Sequence, residues 1–426
     1  MIFGVCSAAH AWTNHAVLTY MALDSMPDAK NRVRAETIES FLNMEREKIG
    51  KALEAEETWA RENVRDYQPR PDALAFSASR EKDIVVRFLN AVRLNPRMKF
   101  PLFLQPRDPK DARRRAGWDT ISLYPRNYLE RPLVSIRPGE LVAVEEVVAT
   151  ASDEPDYGYD FGLYENNETT YGSMYGYGPQ PISDPKIFSY TQAGFHMGFY
   201  HESWIVFKAA PILKRTCPEQ RAHLLYALSR FAFETGHPYW GYRFAGMGMH
   251  YVQDLAQPFH ACTLPGVSTI KLLWISVLNA IGFNGPYDRA VAKVTNEHTL
   301  LETLLYDVMR EKFDGAEHGD PLLTALGDAA GDAAPGTYDG HYITSTVSRE
   351  AYERADDLIT ALNGIISDRE LFGRAAALDR EGRLNPRDVV SASSEPDKKR
   401  FNGAMTVLMK SIGEHSRAYL RAATAR

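Results

Sequence analysis

Along most of the chain, apolar residues recur at intervals of three and four, the pattern of helices that bury one stripe. In "NHAVLTYMAL" (14–23), Val17, Tyr20 and Met21 share a face. In "AETIESFLNMEREKI" (35–49), Ile38, Phe41, Leu42 and Ile49 do the same. "PEQRAHLLYALSRFAFETG" (218–236) opens with Pro and closes at Gly236, a start signal and a stop signal. The same signals predict further helices over about 286–313, 346–367 and 398–423. Strand-like alternation is scarce. Its best candidate is "LVSIRPGELVAVEEVV" (133–148), which Pro138-Gly139 splits. The expected fold class is all-α.

Two stretches interrupt the helical pattern. Residues 99–137, rich in Pro and Arg, are expected to form an extended connection or surface insertion. Residues 156–181 alternate Tyr and Gly and predict a long ordered loop, packed rather than disordered and suited to lining a cleft. The stretch "KLLWISVLNAIGF" (271–283) is too short to span a bilayer; it is expected to be a buried helix, with an interfacial or substrate-facing role as the alternative.

Composition narrows the chemistry. With 426 residues, 44% hydrophobic and 24% charged, the chain is long enough for one large domain or two medium ones around a sizeable core. A formal net charge of −6 provides no basic footprint for duplex nucleic acid. It leaves open a small phosphodiester substrate, for which a metal cluster would supply the positive charge. Cys6, Cys217 and Cys262 form no CxxC pair and no disulfide framework, so any metal here is held by histidines and carboxylates. At the N-terminus, Ala9-His10-Ala11 fits the small-x-small pattern before a signal cleavage point and would leave Trp12 first. The segment lacks a basic n-region, so a plain tail is the competing reading. A processed leader would put the protein outside the cytoplasm, in a periplasm or secreted.

The residues that carry chemistry lie in "GMHYVQDLAQPFHA" (248–261) and "HTLLE" (298–302). Residues four apart on a helix share a side, so His250 with Asp254, and His298 with Glu302, can each offer nitrogen and oxygen to one ion. Chance alone gives about one or two such pairs in a chain of this composition, so spacing by itself decides nothing. Order and context do more. Pro258 should break the helix after Asp254 and swing His260 toward a neighbouring ion, and a second His-x3-Glu helix follows within forty residues.

In this order, His-x3-Asp-x5-His and then His-x3-Glu, the sequence resembles the zinc-dependent phospholipase C family and its relatives, the zinc-dependent single-strand nucleases. The resemblance implies an all-α fold around three zinc ions and hydrolysis of phosphodiesters. It implies that Asp254 bridges two zincs beside His250, while His260, His298 and Glu302 share one. "AWTNHAVLTYMAL" is similar to the family's mature N-terminus and first helix, which makes Trp12 and His15 ligands. An Asp and a His are expected from the intervening region. Asp156 in "EPDYGYD" is favoured, with Asp153 and Asp160 as rivals; His196 in "GFHMGFYHE" is favoured over His201. The zinc ions of such a cluster supply a water of lowered pKa to phosphorus. Asp156 is then the carboxylate expected to orient or deprotonate that water.

The implied organisation is a leader remnant or tail over 1–11, a catalytic domain over 12–315 with an insertion at about 50–150, and a helical C-terminal extension over 316–426. A phospholipase C-like enzyme acting on a phospholipid or similar phosphoester, with possible peripheral membrane contact, is the first expectation; the apolar stretch 267–283 would suit a lipid-facing wall. A single-strand nuclease, stacking bases on the Tyr-rich loop, is the second. A non-catalytic metal-binding surface protein is the third. His223 and His237 read better as packed or boundary residues, and His318, His341 and His415 fall outside the resemblance. Tyr239, Trp240, Tyr242 and Phe244 read as core beside the metal helix.

Overall fold

The computed structural model describes residues 14–79, 83–125, 131–182, 191–317, 319–332, 338–375 and 386–425. Helices dominate them, as the periodicity predicts. Helix α1 (His15–Leu23) is buried on every side, which its nearly all-apolar sequence permits. After β1 (Arg32–Arg34), the stretch 35–49 forms two helices instead of one. These are α2 (Ile38–Met44), with Thr37 accepting a bond from the Ser40 amide, and α3 (Arg46–Asn63). Glu45 leaves helical geometry between them at φ −102° and ψ 15°. Asp83 caps α4 (Ile84–Ala91) by accepting from the amides of Val85 and Val86.

The region 99–137 is extended but not superficial, since Phe100, Phe103, Leu104, Leu133, Val134 and Ile136 are all buried in the core. The strand expectation over 133–148 holds only in its first part. Here β2 (Phe103–Leu104) pairs with β3 (Val134–Ser135), and β4 (Leu141–Ala143) pairs back to β1, so Pro138-Gly139 turns the chain between two small sheets. Gly139 sits at φ +81°, a conformation open to glycine. The remainder, "VEEVV", opens helix α5 (Val144–Asp153). Glu145 and Glu146 favour its N-terminal dipole, and Val144, Val147, Val148 and Ala151 form its buried stripe.

The Tyr/Gly loop contains the short α6 (Gly172–Tyr175) and packs inward. Tyr157, Tyr159, Tyr164, Tyr175 and Tyr177 are buried, so these rings fill the interior rather than line an open cleft. Short helices α7 (Ala193–His196) and α8 (Trp204–Ala209) lead to α9 (Pro218–Glu234), which starts and stops where Pro218 and Gly236 predict. Helix α10 (Pro238–Leu255) ends before Pro258, and the chain restarts as α11 (Pro258–Ala261). Then come α12 (Thr269–Ala280), α13 (Gly285–Asp314) and α14 (Pro321–Gly327). The expected helix over 346–367 is broken into a π-helical turn (Ile343–Val347), α15 (Ser348–Glu353) and α16 (Ala355–Ile365). After α17 (Asp368–Ala375) and α18 (Pro386–Ala392), α19 (Glu395–Thr424) starts at Ser394, whose hydroxyl caps the Asp397 amide.

Helix α10 runs through the middle, against α5, α9 and α19, and α1 lies on α5 and α19. Residues after 316 share the same core: one cluster of buried apolar side chains extends from Ala16 to Ala423. Tyr239, Trp240 and Phe244 belong to it, as their apolar surroundings predict. Gly246 makes the α5 crossing possible, because a Cβ there would lie 2.5 Å from Val148 O and 2.7 Å from Ala151 Cβ. That close approach brings the end of α5 beside the second half of α10.

Candidate metal centre

Six segments converge at this crossing. Helix α1 presents His15, and the 3-10 turn Glu154–Tyr157 that continues α5 presents Asp156. His196 ends α7; α10 carries His250 and Asp254; α11 carries His260; α13 carries His298 and Glu302. Their ligand atoms fall into three groups, each compact enough to hold a metal ion: His15, Asp156 and His250; His196, His250 and Asp254; and His260, His298 and Glu302. All eight residues are buried.

Asp254 lies between the groups. Its Oδ2 is 2.8 Å from His196 Nδ1 and 3.1 Å from His250 Nε2. Its Oδ1 faces the other way, 3.5 Å from His15 Nε2 and 3.8 Å from His260 Nδ1. His196 Nδ1 and His250 Nε2 are themselves 2.9 Å apart. Asp156 closes the first group, 3.9 Å from His15 Nε2 and 3.8 Å from His250 Nε2. In the third group, Glu302 Oε1 stands 2.7 Å from His298 Nε2 and 3.8 Å from His260 Nε2.

The surrounding chain fixes which ring nitrogens face inward. His250 Nδ1 donates to Ser152 O at 2.7 Å, so its Nε2 is the nitrogen turned toward the cluster. His15 Nδ1 donates to Gln253 Oε1 at 2.8 Å. That amide is held in place because its Nε2 donates to the Thr19 and Ser416 hydroxyls. His260 Nδ1 is 3.2 Å from His196 O, which turns its Nε2 toward Glu302. The result is a set of buried acceptors without hydrogen-bond partners: His15 Nε2, His260 Nε2, His298 Nε2 and Asp254 Oδ1. His298 Nε2 is close to Glu302 but not aligned for a hydrogen bond. Buried polar atoms left unpaired cost about 1–3 kcal/mol each, and a shared cation removes that cost.

The electrostatics agree. Burial pushes the Asp156 carboxyl well above its ordinary range, and the charges of Asp254, Asp153 and Glu302 add to the rise. Asp254 goes the other way: burial opposes its charge, but His250 and His196 hold it well below the usual carboxylate range. Burial works against a charged His250, yet Asp254 and Asp156 raise it to about 9. His15 is pushed well below its ordinary value by burial and then by the neighbouring His250. Without a cation, His250 is the counter-charge to Asp254 and Asp156, while Glu302, opposed by burial, is lowered by His298 and His260. A bound cation would release His250 to act as a neutral ligand.

Asp153 and Asp160, the rivals of Asp156, have structural partners instead. Asp153 accepts the Ala16 amide at 3.1 Å and the Gln105 side chain at 3.1 Å, which anchors the first turn of α1 and hence His15. Asp160 pairs with the buried Arg221 at 2.6 Å and accepts the Tyr251 hydroxyl. His201 is also apart from the cluster: it meets Thr344 O at 2.9 Å, and His196 is the one that reaches the groups. Trp12 lies outside the described residues. His237 meets Glu36, and His223 stacks on Trp59 beside Glu56; both are packed, as their positions suggested.

Sequence reasoning missed Gln253 and Ser152, and weighed Asp153 only as a rival ligand, not as the anchor of α1. Gln253 sits between two ligands on α10, so its spacing could have marked it. Ser152 acts through its carbonyl, which leaves no trace in residue type. Fold and site together define a mainly helical protein with three buried His/carboxylate groups able to hold metal ions. Compared with protein families, curated proteins and solved structures, the chain finds no match.

Proposed function

We propose that this chain is a zinc-dependent phosphodiester hydrolase of the phospholipase C kind, acting on a phospholipid or similar phosphoester. One observation carries the reading: three adjoining His/carboxylate groups, with the rings of His15 and His250 fixed from behind so that Nε2 faces the groups. Nitrogen and oxygen ligands without thiolate suit zinc, and a tetrahedral zinc spaces its ligands about 3.3 Å apart, within the range seen around Asp254. His15, Asp156, His196, His250, Asp254, His260, His298 and Glu302 would hold two or three ions. When bound, zinc supplies Lewis acidity and a water acidified toward neutrality.

The protein's own residues contribute orientation and proton handling. Asp156, His196, His298 and Glu302 keep 5%, 4%, 5% and 8% side-chain exposure, whereas His15, His250 and Asp254 keep none. The phosphoester therefore approaches from the Asp156–Glu302 edge. Asp156 Oδ1 is 3.8 Å from both His196 Nδ1 and His250 Nε2, and at that edge it is the carboxylate placed to take a proton from the attacking water.

The single-strand nuclease reading loses its stacking platform, because the loop tyrosines are packed in the interior. The zinc-loaded protein is expected to release phosphorylated head group from a phosphatidylcholine analogue and to leave single-stranded DNA intact. DNA cleavage with inert lipid would establish the nuclease instead. Stoichiometric zinc with no turnover of either substrate would establish a non-catalytic metal-binding protein. Work outside the cytoplasm is part of the proposal, tested by sequencing the mature N-terminus.

A further inference from the structure

Helix α12, "TIKLLWISVLNA", is mostly apolar, yet the protein covers only one side of it. It packs on α8 and α13, with Ile275 buried at that contact. The opposite side is bare. Ile270 is 81% exposed, Trp274 65%, Val277 51% and Ile281 64%. These positions are spaced four, three and four apart, so they form a single stripe along the helix. Phe283, just past the helix end, is 67% exposed, and Trp204 on α8 is 71% exposed. An apolar cavity of about 560 Å³, lined by Val206, Leu213, Leu272, Val277 and Tyr287, lies between α8 and α12.

Charge singles out the same surface. The chain as a whole is acidic, with 55 Asp and Glu against 49 Lys and Arg. Across residues 203–217 and 263–287 there is no Asp or Glu at all, while Lys208, Lys214, Arg215 and Lys271 are present. Lys208 stands 6.0 Å over the Trp204 ring, so a cation adjoins the exposed indole. Exposed aromatic and aliphatic side chains on segments that carry lysines and no carboxylate of their own match an anionic lipid surface: the apolar stripe enters the acyl boundary and Lys208 and Lys271 meet the head groups. No helix among the described residues is long and apolar enough to cross a membrane, so this contact would be peripheral.

We propose that α8 and α12 dock this protein onto an anionic phospholipid bilayer through the Ile270–Trp274–Val277–Ile281 stripe, with Trp204 and Phe283 beside it. The docking stands apart from the metal reading, since it is measured without turnover. The test is co-sedimentation of the full chain with phosphatidylcholine vesicles and with vesicles containing phosphatidylglycerol. The expected result is binding that is stronger on the anionic vesicles and weakened by salt. Trp274→Ser should lower partitioning about tenfold, the worth of one large apolar side chain. Trp274 is exposed, so the variant's melting temperature should stay that of the parent. Lys208→Glu with Lys271→Glu should abolish the preference for anionic vesicles. Failure to sediment with either vesicle would overturn the proposal. So would a concentration-dependent dimer that Trp274→Ser dissolves, because a second copy would then be what covers the stripe.

Discussion

Asp254 and His250, one turn apart on α10, bring Oδ2 and Nε2 to within 3.1 Å, while Ser152 O holds the other nitrogen of the ring. A His-x3-Asp pair becomes a ligand pair here because α5 supplies that carbonyl. The imidazole cannot turn away, and its Nε2 has nowhere to point except into the cluster.

Asp254 touches the groups on both sides, whereas His298 serves only the third. Asp254→Asn is therefore expected to lower metal content by two ions per chain, and His298→Ala by about one. Elemental analysis of the purified variants reads this directly. Chelation of the parent should also lower its melting temperature, because ions bound only by the folded state stabilise it by mass action. Unchanged metal in both variants would remove the metal centre.

The crossing that builds the site predicts a second effect. Gly246→Ala would put a methyl 2.5 Å from Val148 O, and a backbone oxygen inside a helix has little room to yield. Alanine's better helix propensity recovers about 1 kcal/mol, and the overpacking costs about 1–3 kcal/mol. The net expectation is a lower melting temperature together with weaker metal retention, since α5 carries Ser152 and leads into Asp156. A variant as stable as the parent, with full metal content, would show that the helices can separate at no cost.

Much of this was legible in the sequence, for local reasons. Helices α9 and α10 start at Pro218 and Pro238, and the break before Pro258 follows from a ring that cannot sit inside a helix. The ligands on α10, α11 and α13 come from short, regular spacings. What stayed hidden depends on distant partners. "VAVEEVV" is rich in the β-branched valine that favours strands, yet α5 is helical because its Val144–Val147–Val148–Ala151 face meets α10. The loop tyrosines have the composition of a cleft, but Arg93 and Arg221 draw Tyr177 into the interior, the two guanidiniums 4.2 Å and 5.7 Å from the ring centre. The stretch 271–283 reads first as a buried helix, because an apolar helix looks the same in sequence whether or not a neighbour covers it. The exposed Trp274, Val277 and Ile281 correct that in favour of the interfacial alternative.

Asp160 lies behind His196, with its Oδ2 3.7 Å from Nε2, and it is the buried partner of Arg221. Neither residue of that ion pair has solvent exposure, so Asp160→Asn leaves a buried guanidinium without its counter-charge. Breaking one side of such a pair costs about 3–5 kcal/mol. Urea unfolding should show a stability loss of that size, seen as a lower midpoint at an unchanged slope. A loss below about 1 kcal/mol would mean that the Val92 and Arg93 carbonyls, which also accept from Arg221, suffice to hold it.

Glu350 gives the protein an acid-sensitive contact far from the ligands in sequence. Its carboxylate is 3.5 Å from the buried His415 Nε2 and 2.8 Å from Arg354 Nη1; those partners lower it from the ordinary 4.5 to about 2. Because the folded value lies below the unfolded one, this contribution is fully present above about pH 4.5. It is lost as pH falls from there through about 2. The side chain is only half buried, so solvent screening limits its worth to about 1 kcal/mol. Glu350→Gln should therefore cost about that much at pH 7 and progressively less as pH falls toward 2. Stability curves of parent and variant should converge on acidification. If they stay parallel down to pH 2, the carboxylate's charge contributes nothing to folding.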